Sequence, residues 1–388
     1  MSMTLRSRRR RAGPAEPAER KRRHIVFLMW RDSSHPEGGG SEMFVERVAE
    51  YLSEQGWDVT ICCAAYPGAV PDEARNGMLV RRRGGRLTVY LHGFAYLLGG
   101  HGRKADIVVD VQNGVPFFSR LVRRRDVLVL VHHVHREQWQ IIYPGLIGHF
   151  GWWLESRLAP RLYRGSRYVT VSDASRHDLI GLGVEDNRID LVHNGIDVPH
   201  PEHLLARSPV PTVCVLGRLV PHKQVEHALE VASRARGAIP DLHMDVVGDG
   251  WWRQPLQDRA VELGVEDIVT FRGGLSNAER DAILDRAWIM LVPSVKEGWG
   301  IAIMEAAARG VPTLAYASAG GVCESIVNGE TGWLADDLDG LTKHAEELLT
   351  DHALREQMGA HARERAARFD WPSTGRRFNE LLERELGR

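Results

Sequence analysis

Short, almost wholly apolar runs recur along the chain, each followed by a longer stretch with apolar positions at helical spacing. The first set is His24-Ile-Val-Phe-Leu-Met-Trp30, Asp58-Val-Thr-Ile-Cys-Cys63, Ala105-Asp-Ile-Val-Val-Asp110, Asp126-Val-Leu-Val-Leu-Val131 and Arg167-Tyr-Val-Thr-Val171. Their unbroken, β-branched character predicts strands buried on both faces of a parallel sheet. Between the first two, a loop ending in Gly38-Gly-Gly-Ser41 opens a helix with Phe44, Val45, Val48, Ala49 and Leu52 on one side, and Gly56 stops it. After Pro199-His-Pro201 the pattern starts again with Thr212-Val-Cys-Val-Leu216, His243-Met-Asp-Val-Val247, Ile268-Val-Thr-Phe271, Trp288-Ile-Met-Leu-Val292 and Pro312-Thr-Leu-Ala-Tyr316. Two successive arrays predict an α/β chain of two doubly wound, Rossmann-like domains, residues 24–200 and 205–370. Such sheets bind ligands at the carboxyl ends of their strands, here in a cleft between the domains. The last stretch, 371–388, places Phe378, Leu381 and Leu382 on one side of a helix expected to cross back onto the first domain.

Composition narrows the classes. A length of 388 residues accommodates two cores, and a net charge of −1 argues against a polyanionic partner for the whole molecule. Residues 1–23 nevertheless hold nine Arg or Lys against Glu16 and Glu19, which predicts a disordered basic tail without the apolar centre of a secretory signal. No run approaches the ~18 apolar residues needed to span a bilayer. Four cysteines with neither metal-ligand spacing nor a disulfide framework fit a reducing cytoplasm.

The densest chemistry is in Glu297-Gly-Trp-Gly-Ile-Ala-Ile-Met-Glu305. A strand, a glycine turn and a helix start form an anion site, because the first helical amides lack intrahelical partners. Gly298 and Gly300 shape the turn, with Glu297 inside it and Glu305 about four residues into the helix, roughly 6 Å further on. Carboxylates repel phosphate but accept hydrogen bonds from sugar hydroxyls. A diphosphate cradle between two such groups suits a nucleotide-sugar.

Other segments fall in a recognisable order: Gly39-Gly-Ser-Glu42, Val171-Ser-Asp-Ala-Ser175, His193-Asn-Gly-Ile-Asp197, Gly217-Arg-Leu-Val-Pro-His-Lys223, Val247-Gly-Asp-Gly250 and Val269-Thr-Phe-Arg-Gly273. With the paired glutamates, whose spacing is written E-x7-E, the chain from His24 onward resembles the family 4 retaining glycosyltransferases of GT-B fold. The resemblance implies that Arg218 and Lys223 neutralise the donor diphosphate. It implies that Glu297 holds donor-sugar hydroxyls, that Glu305 holds the ribose, and that amides around Trp299, Gly300 and Ile301 meet the phosphates. The base is expected near Arg272. Gly39 and Gly40 would let the first domain's backbone approach the diphosphate from the other side. His132, directly after a strand, takes the place of the family's contact to the donor sugar, with His133 and His135 beside it. One departure is visible: Gln224 follows Lys223 where the family usually has glycine.

The implied activity is metal-independent transfer of a hexosyl group from a nucleoside-diphosphate sugar to an acceptor hydroxyl, with retention of anomeric configuration. No cofactor is expected. Asp337-Leu-Asp339 has a metal-transferase spelling but falls in a late loop and reads as solvated charge. The alternatives on the same fold are a nucleotide-sugar epimerase, a phosphorylase, or a non-catalytic partner subunit. For the acceptor, a glycolipid, polysaccharide precursor or glycosylated metabolite is expected. The aromatic run Ile141-Ile-Tyr-Pro-Gly-Leu-Ile-Gly-His-Phe-Gly-Trp-Trp153 reads either as a core helix or as an acceptor or lipid-facing patch. Together with the tail and the clusters Arg81 to Arg83 and Arg123 to Arg125, the second reading predicts peripheral attachment to an anionic leaflet.

Overall fold

A computed structural model describes residues 22–387. The first sheet has eight strands: β1 (His24–Leu28), β2 (Asp58–Cys63), β3 (Asp72–Arg75), β4 (Met78–Arg82), β5 (Ile107–Val111), β6 (Val127–Val131), β7 (Arg167–Thr170) and β8 (Ile189–Leu191). The second has six: β9 (Thr212–Leu216), β10 (His243–Val247), β11 (Val269–Gly273), β12 (Ile289–Val292), β13 (Thr313–Tyr316) and β14 (Gly332–Ala335). Only β3 runs antiparallel, against β4; every other pairing is parallel.

Strand order decides where a ligand can sit. The first sheet runs β3-β4-β2-β1-β5-β6-β7-β8, and the second β11-β10-β9-β12-β13-β14. The chain reverses its direction of growth between β1 and β5, and again between β9 and β12. Loops leaving the strands at such a switch diverge to opposite faces of the sheet and open a crevice at the carboxyl ends. The glycine loop follows β1, the Arg218–Lys223 segment follows β9, and Glu297 to Gly300 follow β12.

The first strand-like run is longer than the strand it forms. Met29 and Trp30 lie past β1, where the chain turns out toward the crevice. Strands β3, β4, β8 and β14 carry no long apolar run, so periodicity alone does not show them. In β4, Arg82 is buried and binds Asp32 (Nε to Oδ2, 3.1 Å) and Glu73 (2.7 Å). Arg81 and Arg83 both bind Asp72. The cluster read above as membrane-attracting charge therefore fastens the sheet edge instead. Arg123 is likewise engaged, donating to the Ala105 carbonyl at 2.7 Å. Asp337 caps helix Leu338–Thr350 through the Gly340 amide, and Asp339 pairs with Arg234, so these two carboxylates have structural partners.

Most of the basic tail lies outside the described residues. Arg23 does not: it pairs with Glu383 and sits over the Trp57 ring. Its partner belongs to helix Trp371–Leu386, which packs on helix Gly40–Glu54 of the first domain. Phe378 is fully buried with its ring 6.2 Å from Phe27 and 6.3 Å from Phe44. Trp57 Nε1 donates to Asn379 at 2.9 Å beside them. The chain thus passes between the domains twice, and the passes meet where the Ile196 amide donates to the Phe369 carbonyl at 2.9 Å.

No described helix is long and apolar enough to cross a membrane. Phe378→Ala should lower the unfolding free energy by about 3–5 kcal/mol, the usual cost of emptying a buried aromatic site. Urea titration followed by far-UV circular dichroism measures it, and the loss should fall on the first domain.

Candidate active site

Two loops from the second domain and two from the first converge on the crevice. Lys223 ends the turn Pro221–Lys223 and places Nζ 2.6 Å from Glu297 Oε1. Ser294 Oγ donates to the same oxygen at 2.6 Å. Burial works against the Glu297 charge, yet the Lys223 ammonium and these hydrogen bonds hold its carboxyl below the ordinary range. Arg218 lies in the same loop, its pKa lowered by the surrounding protein and by Arg31 of the first domain, with Glu42, Glu37 and Glu297 opposing that shift.

Arg31 was not legible as a site residue. It follows Trp30 and stacks over that ring at 4.4 Å, while Nε donates to Glu42 at 3.0 Å and Nη1 pairs with Glu37 at 3.2 Å. Glu42 in turn accepts the Gly39 amide at 2.8 Å and the Ser41 hydroxyl. Burial disfavours its ionisation, but Arg31 and Ser41 keep it ionised below the usual range. Two arginines from different domains and one lysine thus surround one gap. Like charges are kept together only where opposite charge offsets them or an anion is to be held.

The glycines make the approach possible. A Cβ on Gly40 would lie 2.7 Å from Ile301 Cδ1, and one on Gly298 would lie 2.7 Å from the His132 carbonyl oxygen. Both contacts join the two domains; a side chain at Gly298 would meet backbone and force them apart, whereas one at Gly40 would meet the movable tip of Ile301. Gly300 has φ +83 and caps helix Ile301–Ala308, whose free first amides begin beside Gly40. Trp299 is buried behind the turn with its ring 5.2 Å from Phe369, so its side chain serves the core.

Glu305 is set apart from this cluster. It pairs with Arg280 at 3.2 Å, and burial raises its pKa although Arg280 opposes the shift. Arg272, at the end of β11, donates Nε to Asp245 at 2.7 Å on the outer side of the second sheet. The structure therefore brings Gly39, Gly40, Arg218, Lys223, Glu297, Gly298, Gly300 and Ile301 together, and leaves Glu305 and Arg272 each with a separate ionic partner.

His132 follows β6 and is buried edge-on against Phe44 at 5.3 Å, its Nε2 without a hydrogen-bond partner. Burial pushes its pKa down to about 4. His222, beside Lys223, is also buried with an unpartnered Nδ1 and is pushed down to about 4 by burial, Lys223 and Arg218. Both are neutral at pH 7. His133 bonds Gln138 at 3.0 Å, and His135 bonds Glu155, whose other oxygen accepts Trp139 Nε1 at 2.6 Å. Those two histidines brace the loop; His132 and His222 keep a free nitrogen.

Gln224 adopts φ +46 at the start of helix Val225–Ala235, the left-handed conformation that the family's glycine takes without cost. Gln224→Gly should raise the unfolding free energy by about 1 kcal/mol in urea titration. The histidines make a second prediction. Unfolded, each protonates below its ordinary pKa of 6.5; folded, His132 and His222 stay neutral to about 4. The unfolded state binds more protons in that window, so stability rises with pH there and is lost as the pH is lowered from about 6.5 toward 4, by up to roughly 1.4 kcal/mol per unit for each group. His132→Asn should show a shallower loss than the parent between those limits, read from urea midpoints at successive pH values.

Comparison with known proteins bears on the family and the fold. The family described as Glycosyltransferase Family 4 matches residues 38–200, and Glycosyl transferases group 1 matches residues 200–365. A GDP-mannose-dependent alpha-(1-6)-phosphatidylinositol monomannoside mannosyltransferase of Mycolicibacterium smegmatis is 34% identical over 44% of this chain and 47% of its own, so the match spans about half of that relative. An MMP alpha-(1->4)-mannosyltransferase of Mycolicibacterium hassiacum is 29% identical over 94% of this chain and 98% of its own. Among solved structures, sucrose-phosphate synthase from Thermosynechococcus elongatus superimposes with a TM-score of 0.79 at 19% identity, covering 94% of this chain and 99% of that one. The two family matches adjoin at residue 200, where the first domain gives way to the second, and the chain belongs to the GT-B glycosyltransferases.

Proposed function

We propose that the protein transfers a hexosyl group from a nucleoside-diphosphate sugar to an acceptor hydroxyl with retention of configuration. The observation that carries this is the convergence of Arg218, Lys223 and Arg31 on one gap, opposite the Gly40–Ile301 contact and the first amides of helix Ile301–Ala308. That arrangement offers cations and backbone donors to a diphosphate from both sides. A departing diphosphate gains negative charge in the transition state, so fixed cations here accelerate the step. They do so without calling on a metal ion for that role.

Glu297 is the group for the donor sugar. It stands at the crevice wall with one oxygen on Lys223 and Ser294, which fixes the carboxylate before any ring hydroxyl arrives. His132 supplies a neutral ring with a free nitrogen beneath the Gly298 turn, suited to a sugar hydroxyl and not to proton transfer at pH 7. Glu305 would hold the ribose by exchanging part of its Arg280 contact for hydroxyl donors, and the base would lie toward Arg272.

Retention through a covalent glycosyl-enzyme needs an unencumbered carboxylate near the anomeric carbon. The crevice carboxylates, Glu42 and Glu297, are both bound to cations. This favours front-face attack, in which the leaving phosphate takes the acceptor proton. Domain closure would exclude water and limit donor hydrolysis. The mannosyltransferase relatives support GDP-mannose as the first donor to test, with a glycolipid, polysaccharide precursor or glycosylated metabolite as acceptor.

Thermal-shift screening against GDP-mannose, UDP-glucose and ADP-glucose, with chelator present, should give stabilisation by one of them. Glu297→Ala should reduce kcat roughly 100- to 1,000-fold while moving Tm by only a few degrees, roughly what loss of one partly exposed ion pair costs. Proton NMR of the first product formed should show the donor's anomeric configuration. Sugar phosphate released on adding inorganic phosphate would identify a phosphorylase instead, and donor binding with no turnover on any acceptor would identify a partner subunit.

A further inference from the structure

Helix Leu146–Trp153 is built inside out. Its inward positions are glycines: a Cβ on Gly151 would stand 2.3 Å from the Trp139 ring, and one on Gly148 would stand 2.1 Å from the Tyr143 carbonyl oxygen. Its large apolar residues face solvent instead, with Leu146 89% exposed, Ile147 68% and Phe150 60%. The Phe150 and Trp153 rings stack on that outer face with centroids 6.0 Å apart. A core helix has the opposite distribution, since burying large side chains is what stabilises it.

The face extends beyond one helix. Ile141 and Ile142 are exposed at the end of helix Arg136–Ile142, and Arg86 crosses to Tyr143 at 5.4 Å, bringing the exposed Leu87 and Leu91 alongside. Underneath, Glu155 ties His135 and Trp139 together, so the face rests on a fixed base. Contiguous apolar surface of this kind marks a contact surface.

Its charge says which contact. Residues 86–164 hold eleven Arg or Lys and five Asp or Glu, and two of those acids, Asp110 and Glu155, are buried. From 138 to 172 the only carboxylate is Glu155. Arg86, Arg136, Arg157, Arg161 and Arg164 are exposed. Apolar side chains framed by an excess of arginine over acid complement an anionic bilayer, where the chains enter the interface and the cations meet headgroup phosphates. Helix Arg136–Ile142 also lies against the turn Pro221–Lys223, which puts the face one helix away from the phosphate loop.

We propose that this face docks the protein on an anionic membrane surface and holds the crevice at headgroup level, where a lipid-anchored acceptor presents its hydroxyl. Docking stands on the face alone; the acceptor class rests on the transfer reading above. The full chain should co-sediment with phosphatidylcholine vesicles containing phosphatidylglycerol, bind phosphatidylcholine alone far less, and release at high salt. Ile147→Glu with Phe150→Glu should cut the vesicle-bound fraction roughly tenfold or more, although the basic residues 1–23 are retained. Arg157→Glu with Arg161→Glu should remove the preference for anionic lipid. Because these side chains are exposed, Tm and donor-induced stabilisation should match the parent in both variants. Wild-type protein left in the supernatant with both vesicles, or a glutamate variant that sediments as well as the parent, overturns docking. So does a lipid-free dimer that Ile147→Glu dissociates, which would make the face a contact between copies. Vesicle binding without donor stabilisation would instead count against the transferase reading.

Discussion

Arg31 and Arg218 bring like charge to the crevice from separate domains, and holding that charge among carboxylates is the constraint its two walls share. Each is balanced locally: Arg31 by Glu42 and Glu37, and the Arg218 loop by Glu297 through Lys223. The carboxylates offset that positive charge within each wall. Glu42 also fixes the glycine loop through the Gly39 amide, so the same ionic contact that steadies Arg31 sets the backbone of the opposite wall. Electrostatics and backbone shape are therefore one arrangement here, and a change in either disturbs the other.

The glycine contacts act on a different scale. Gly40 against Ile301 and Gly298 against His132 determine how near the domains can come, and that spacing sets which ligand atoms both walls reach. Two further links span the interface: Lys296 to Asp178 at 2.8 Å, and Glu324 to the Asp173 and Ala174 amides at 2.9 Å each. The Glu324 contact places a carboxylate at the start of helix Asp173–Gly181, where the helix dipole favours it. The crevice is thus bordered by polar contacts on one side and by backbone contacts on the other.

Where the sequence spoke clearly, a strong local cause lay behind it. Strands β2, β9 and β10 begin and end where their mostly apolar runs do, because burial on both faces favours apolar side chains at most of their positions. Strands β3 and β4 stayed hidden because their arginines and acids satisfy one another across the pair, a fact of tertiary contact and not of pattern. The loop residues Arg218, Lys223 and Glu297 were legible from their order along the chain. Arg31, Glu42 and His222 were not, since each gains its surroundings only when distant segments meet. The aromatic run at 141–153 had two equal readings, core helix or outward patch, and hydrophobicity alone does not tell inside from outside. The inward glycines do.

Helix Trp371–Leu386 completes the first domain although it follows the whole of the second in the chain. The space filled by Phe378 between Phe27 and Phe44 stays open while all of the second domain is being synthesised. The amino-terminal domain thus cannot mature independently on the ribosome, and its aromatic seam is exposed to chaperones or to aggregation until that helix arrives. Cutting the gene at the domain boundary would give two pieces, of which only the second could inherit a whole core.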